Sequence, residues 1–353
     1  LLHLTCALER SKALGRLQLT NNQILLQILA MMLGLTILAR GTCLPARNPR
    51  CSAIRGLHVA AAQNNDLEIL REWAKMKSSD PTRGYREGVV NLEVAESGVA
   101  KVTLNRPEKF NAFNMQMFKE LELAFQEIED RRNEVRCVIL GASGTNFTAG
   151  LDLNTLGALQ KVLSEVKCPS EMRENLGHVI ARFQKIFSMP EVCHVPVIAA
   201  SQGLVVGAGV DIITACDLRF CTQDTRMTVK EVDVAIVADL GTLQRLPRII
   251  GEQRARELAY TGRFVSGAEA ANLGLVLDCL EDSAALETRA SGLASEIASK
   301  SAITMRGIKA NMNYSRDHSV QEGLEYVLRW NTSHLMSADL HAIAAKAAAA
   351  RKK

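Results

Sequence analysis

The sequence predicts an α/β fold with a helical C-terminal extension, from three observations. Short apolar strands alternate with helix-period segments up to about residue 280, and beyond that point only helical patterns occur. The chain has 353 residues, 47% apolar and 23% charged, enough to bury a large core.

The first segment in order is a leader. Residues 1–65 hold seven basic residues (Arg10, Lys12, Arg16, Arg40, Arg47, Arg50, Arg55) and one acid, Glu9. Acid-poor, Arg-bearing and apolar is the composition of a transit peptide. The apolar run 24–39 is shorter than a membrane helix requires, so no membrane insertion is expected, and a secretory signal is the competing reading. Met31 and Met32 are the first methionines, so the leader is expected to start there, with residues 1–30 untranslated.

Without the leader the formal charge of +4 becomes slightly negative. A protein that binds nucleic acid through counterion release carries its positive charge on the folded part, so that class is excluded. The nine cysteines show neither a CxxC nor a Cys/His metal spacing. They read as buried reduced thiols of an intracellular protein, and no metal is expected.

Residues 66–90, polar and charged with Pro81 and Gly84, read as a lead-in. Val89–Leu92 and Val99–Leu104 flank a turn at Gly98 and predict a hairpin, which Asn105-Arg-Pro ends. Met117, Leu121, Ala124, Phe125 and Ile128 recur at helical steps, predicting a helix from Asn114 to Glu129. Val135–Leu140 reads as a buried strand, followed by a small-residue loop from Gly141 to Gly150. A second helix is expected near Leu176–Phe187 and a second buried strand at Val195–Ala200.

A third helix opens at Gly207–Gly209, and Leu218–Cys221 and Met227–Val229 read as short strands. Ser266-Gly-Ala-Glu269 has the pattern of a capping box, and Gly274 closes that helix before a strand at Val276–Leu280. The organisation is thus a leader (1–65), an α/β core (66–280) and a helical region (281–353).

Three features carry chemistry. Asn146-Phe-Thr-Ala-Gly-Leu-Asp152 is a small-residue loop following a buried strand. Gln202-Gly-Leu-Val-Val-Gly-Ala-Gly-Val-Asp211 leaves a second strand and opens a helix, without the spacing of a dinucleotide fingerprint. Two such turns side by side would offer backbone N–H groups to a developing oxyanion, although each glycine cluster can also serve packing alone. The third feature is a set of acids among Val, Ile and Ala: Asp211, Glu231 and Asp239. Such acids are paired, solvated or functional with raised pKa. No GxSxG or HExxH motif supports a hydrolase.

From about Val89 to Leu340 the chain resembles the crotonase (enoyl-CoA hydratase/isomerase) superfamily. The resemblance rests on Leu104-Asn-Arg-Pro, Phe147-Thr-Ala-Gly-Leu-Asp, Pro196-Val-Ile-Ala-Ala, the glycine-rich turn and Thr214-Ala-Cys-Asp217. The stretch Val229–Pro247, with Tyr314-Ser-Arg-Asp-His-Ser-Val320 and Trp330-Asn331, is most like the Δ(3,5)-Δ(2,4)-dienoyl-CoA isomerases. The resemblance implies a spiral of ββα turns, a C-terminal region that trimerises, and a homotrimer or homohexamer. It also implies an acyl-CoA substrate whose thioester oxygen sits between the N–H groups of Ala149 and Ala208. Ala149, Gly150, Leu151, Asp152 and Leu153 would form the substrate-binding loop. Glu231 and Asp239 would be proton shuttles, with Asp211 tuning or positioning them.

The chemistry agrees with that implication. Moving two conjugated double bonds needs a proton removed near the thioester and one delivered at the far end of the diene. Carboxylates and an oxyanion hole suffice, so no cofactor is expected beyond the coenzyme A of the substrate. Asp211, where a hydratase would carry glutamate, favours isomerisation. A hydratase or simpler enoyl isomerase of the superfamily, and a non-catalytic acyl-CoA-binding member, are the alternatives.

Ala208 departs from the family's three consecutive glycines, and its methyl is expected to crowd the thioester or resist an unusual backbone angle. Ala235 and Val237 replace smaller residues and are expected to narrow the acyl pocket. The C-terminus, Arg351-Lys-Lys353, lacks a Ser-Lys-Leu address, so the mitochondrial matrix is expected, with the peroxisome as alternative.

Overall fold

Alternating apolar strands need a partner for every backbone group, and most of them find it in one sheet. The computed structural model describes residues 66–73 and 88–350. The leader expectations for 1–65, including the start at Met31, lie outside the described residues.

The lead-in differs from expectation. Segment 66–73 is helical, and Leu67, Ile69, Leu70 and Trp73 are buried in the main hydrophobic cluster. The hairpin is β1 (Val90–Val94) and β2 (Val99–Leu104), paired antiparallel. Helix α1 (Met115–Asp130) starts at Asn114, whose side chain accepts the Met117 N–H at 2.9 Å. Strand β3 (Cys137–Ala142) lies slightly later than the apolar run suggested. Helix α2 (Leu153–Ser164) occupies a stretch read only as loop up to Leu153, and α3 (Pro169–Val192) extends the expected helix at both ends.

Strands β4 (Val197–Ser201) and β5 (Leu204–Val206) lead into α4 (Ala208–Ala215). Strands β6 (Leu218–Thr222) and β7 (Arg226–Thr228) lead through a 3-10 turn, Glu231–Val234, to α5 (Thr242–Ile250) and α6 (Glu252–Thr261). Next come β8 (Val265–Ser266), α7 (Gly267–Asn272) and β9 (Asp278–Leu280). The predicted capping box at Ser266 is half made. Ser266 Oγ accepts the Glu269 N–H, while the Glu269 carboxylate pairs with Arg263.

The large sheet has the order β1-β2-β3-β4-β6-β9, parallel except for β1, and β5-β7-β8 form a small second sheet. Two consecutive units, β4-β5-α4 and β6-β7-α5, each place one strand in each sheet before a helix follows, turns of the ββα spiral that the resemblance implied. One sheet face packs Val138, Leu140, Val197 and Ala199 into the main core. The other face packs Ile139, Ile198 and Phe220 against Leu286, Ala290 and Ala294 of α8 (Ser283–Ala298). The small alanines at four-residue spacing let that helix lie close to the sheet.

Helices α9 (Ala302–Tyr314), α10 (Val320–His334) and α11 (Ala338–Ala350) complete the C-terminal region. A full capping box, Ser319 with Glu322, opens α10. Lys309 of α9 is buried, and its Nζ donates to the carbonyls of Pro190 and Val195 and to Asp217 Oδ2. Asp217 also accepts the Val197 N–H. The Thr214-Ala-Cys-Asp217 motif therefore ties the terminal helices to the sheet.

Candidate active site

The two small-residue turns lie side by side because the first pairs with the strand leading into the second. Thr148 N–H donates to the Leu204 carbonyl at 2.9 Å, and the Thr148 carbonyl accepts the Val206 N–H at 3.1 Å. Gly150 stands directly against Val206, where a β-carbon would meet the Val206 carbonyl at 2.8 Å.

The predicted donor at Ala149 is corrected here. Its N–H bonds the Phe110 carbonyl at 2.9 Å. Phe110 and Asn111 are held in the left-handed region, and the buried Asn111 side chain fixes that bend by bonding Arg106 N, Ser143 O and Asn146 O. The Gly150 N–H bonds Thr148 Oγ1, and the Asp152 N–H bonds the Phe113 carbonyl. Between 149 and 152 only the Leu151 N–H has no acceptor among the described residues, and the Ala208 N–H, first of helix α4, has none either.

The Gly207-Ala208-Gly209 turn shows why its middle position tolerates a methyl. Gly207 has φ 51, and a β-carbon there would stand 3.0 Å from Glu231 Oε1. At Gly209 a β-carbon would strike the Thr148 methyl at 2.6 Å. The expected backbone strain at Ala208 is absent: it is an ordinary helical residue with negative φ, and it belongs to the main hydrophobic cluster.

Three carboxylates gather beside this turn. Asp211, one turn into α4 and 1% exposed, accepts the Thr242 N–H on Oδ1 at 2.7 Å. Its other oxygen has no partner among the described residues. Burial pushes its pKa up to about 6, with the Thr242 bonds opposing and the Asp239 charge adding. Glu231 opens the 3-10 turn after β7, packed against Gly207. Burial, then the charge of Asp211 and more weakly that of Asp239, raise it to about 7. Its Oε2 is also buried without a partner among the described residues. Asp239 is half-exposed and raised by burial. The three acids thus form one electrostatic cluster, in which the carboxyl raised to about 7 packs against Gly207 at the start of the second turn.

Asp239 lines a cleft of about 750 Å³ with Gln184, Val237, Leu243 and Arg245. The main chain at Asp239 is pinned from α3: Gln184 donates to the Asp239 carbonyl at 2.8 Å. Arg245 donates to the Leu240 carbonyl and is itself held by Ser188 and Glu191. Gly241, φ 123, makes room for that guanidinium, since a β-carbon there would overlap it. Val237, 71% exposed, lines the same cleft. Ala235 sits in the left-handed region with φ 59, outside the residues lining that cleft.

The rest of the predicted loop divides. Gly150 stands against the second turn region and Leu151 bridges to Phe113, but the Asp152 carboxylate is engaged structurally. It caps α2 through the Asn154 N–H and pairs with Arg106 at 2.8 Å. Leu153 is the first residue of α2. Gln184, Arg245, Thr242 and Phe110 escaped sequence reading because each acts through main-chain contacts with distant segments. The fold also gathers Glu129, Cys193 and His194, with one ligand-capable atom each within 4.8 Å. There Glu129 Oε1 already bonds His194 Nδ1 at 2.8 Å, and burial raises the Cys193 thiol to about 12.

The sequence model of the family described as enoyl-CoA hydratase/isomerase matches residues 94–344. A Homo sapiens protein named Delta(3,5)-Delta(2,4)-dienoyl-CoA isomerase, mitochondrial, is 43% identical over 263 residues, 74% of this chain and 78% of that one. An Arabidopsis thaliana protein of the same name, peroxisomal, is 41% identical over 246 residues, 70% of this chain and 88% of that one. The crystal structure of enoyl-CoA hydratase from Bacillus anthracis superposes with TM-score 0.65 at 30% identity, covering 73% of this chain and 97% of that chain.

Proposed function

This chain belongs to the enoyl-CoA hydratase/isomerase family, and on that premise we propose that it converts 3,5-dienoyl-CoA thioesters into 2,4-dienoyl-CoA in the β-oxidation of unsaturated fatty acids. The observation that carries this reading is the pairing of two small-residue turns, each with an N–H that has no acceptor among the described residues, at Leu151 and Ala208, the second turn packed against Glu231 of the Asp211, Glu231 and Asp239 cluster.

The thioester oxygen lies between Leu151 N–H and Ala208 N–H, at the start of α4, where negative charge is stabilised. Loss of a proton from C2 then gives a dienolate whose charge spreads from the oxygen to C6. Protonation at C6 leaves the double bonds at C2 and C4, so one proton is removed and one returned. Glu231, packed against Gly207 beside the Ala208 N–H, serves C2. Asp239, lining the cleft beyond, serves C6. Asp211 holds the Asp239–Thr242 segment through the Thr242 N–H and keeps the Glu231 pKa high.

The chain acts as a homotrimer or homohexamer in this reading. Supporting it, α9 and α10 expose Met312, Leu324 and Leu328, the last two one turn apart. The location is mitochondrial, in keeping with the human relative's name and the acid-poor leader; the plant relative is peroxisomal. Purified protein given a 3,5-dienoyl-CoA is expected to produce the absorbance of the conjugated 2,4-dienoyl thioester. An unchanged spectrum from folded, CoA-binding protein would overturn the reading.

A further inference from the structure

Two cysteines that take no part in the site face each other across the sheet. Cys221 of β6 and Cys279 of β9 are register partners in adjacent parallel strands, so their side chains emerge on the same face. A β-carbon placed on Gly267 would stand 3.0 Å from Cys279 Sγ and 3.3 Å from Cys221 Sγ, so both sulfurs border one small volume that glycine leaves open. Neighbouring strands are about 4.8 Å apart, inside the Cα window of roughly 4.4–6.8 Å that a disulfide spans. Cys221 is fully buried, its thiol directed at the Gly267 carbonyl, while Cys279 is partly exposed. The buried sulfur alone is inert. The pair has one member that an oxidant reaches and one that waits beside it.

We propose that Cys221 and Cys279 form a redox modification site, a dithiol that peroxide converts to an intramolecular disulfide. Peroxide oxidises Cys279 to a sulfenic acid as the O–O bond breaks and the first water leaves. The Cys221 sulfur then attacks the Cys279 sulfur, the S–S bond forms, the S–O bond breaks and the second water leaves. Two thiols and one hydrogen peroxide thus give one disulfide and two waters, with two electrons passing from sulfur to oxygen. The link fastens the edge strand β9 to β6, and the segment it closes into a ring carries Glu231 and Asp239. The site stands independently of the reaction assigned above.

The test uses the full chain with the exposed Cys168 replaced (Cys168→Ser), treated with hydrogen peroxide, quenched, and alkylated in denaturant before digestion without reductant. The expected result is a peptide pair joined through residues 221 and 279, lighter by two hydrogens and separated again by a dithiol. Adding Cys279→Ser, a change at a partly exposed position, is expected to leave Cys221 alkylated. Adding Cys221→Ser is expected to stop Cys279 at a sulfenic acid that dimedone traps. The proposal fails if Cys279 passes to sulfinic acid while Cys221 stays alkylated. It fails equally if both remain alkylated at peroxide levels that fully oxidise Cys168 in the unmodified chain.

Discussion

The Thr242 N–H reaches Asp211 Oδ1 at 2.7 Å, joining the first turn of α5 to the first turn of α4. This bond sets the distance between Glu231, which packs on the start of α4, and Asp239, which precedes α5. Asp211→Asn keeps an acceptor for that N–H and removes a charge that raises Glu231. The acid limb of the pH–rate profile, set by the carboxylate cluster near pH 7, is expected to move to lower pH. A limb unmoved in Asp211→Asn would show that Asp211 does not tune Glu231.

Glu231→Gln tests the same cluster through stability. A carboxylate whose folded pKa is raised to about 7 favours the native state when protonated, so its benefit is complete below its unfolded value and lost as pH rises through 7. The variant is expected to be inactive but more stable than the parent at pH 8, by on the order of 2–3 kcal/mol. That difference should vanish below about pH 4.5. Denaturant melts at both pH values decide it.

Arg245 holds the main chain next to Asp239 through the Leu240 carbonyl. Arg245→Lys cannot reach Leu240, Ser188 and Glu191 together, because it lacks the planar fork. Turnover is expected to fall about tenfold or more with KM nearly unchanged, since misplacing a proton carrier costs rate rather than binding. Steady-state kinetics giving a raised KM at full kcat would contradict this.

Ala235 pays for a left-handed backbone with its methyl group. Ala235→Gly is expected to stabilise the protein, by up to about 1 kcal/mol, at unchanged activity. A lower melting midpoint would refute the assignment of strain.

Lys309 bridges the terminal helices to Asp217 and two carbonyls inside the protein. Lys309→Met leaves these groups buried without their cation, at an expected cost of about 3 kcal/mol. The loss should appear as a lower denaturation midpoint, and an unshifted one would exclude the anchor.

The hairpin, the first helix and the three acids were legible because each depends on short-range pattern: alternation in Val99–Leu104, helical spacing in Met117–Ile128, and acids set among Val, Ile and Ala. Helix α2 was not, because Thr155, Ala158 and Val162 form its buried face while Leu156 is exposed. The donor at Leu151 was hidden for another reason. Which N–H of a loop stays free depends on Phe110 and Phe113, some forty residues upstream, whose carbonyls accept from Ala149 and Asp152. Sequence spacing locates such a loop, but not the orientation of its peptide planes.

Because the two free donors belong to the main chain, no side chain encodes them. Of the ordinary replacements only proline deletes an N–H outright, so positions 151 and 208 are free to drift in identity while the loop keeps its shape. Ala208 illustrates that freedom. The inherited quantity at these positions is a curve of the backbone, and it is guarded at a distance by Asn111, Gly207 and Gly209.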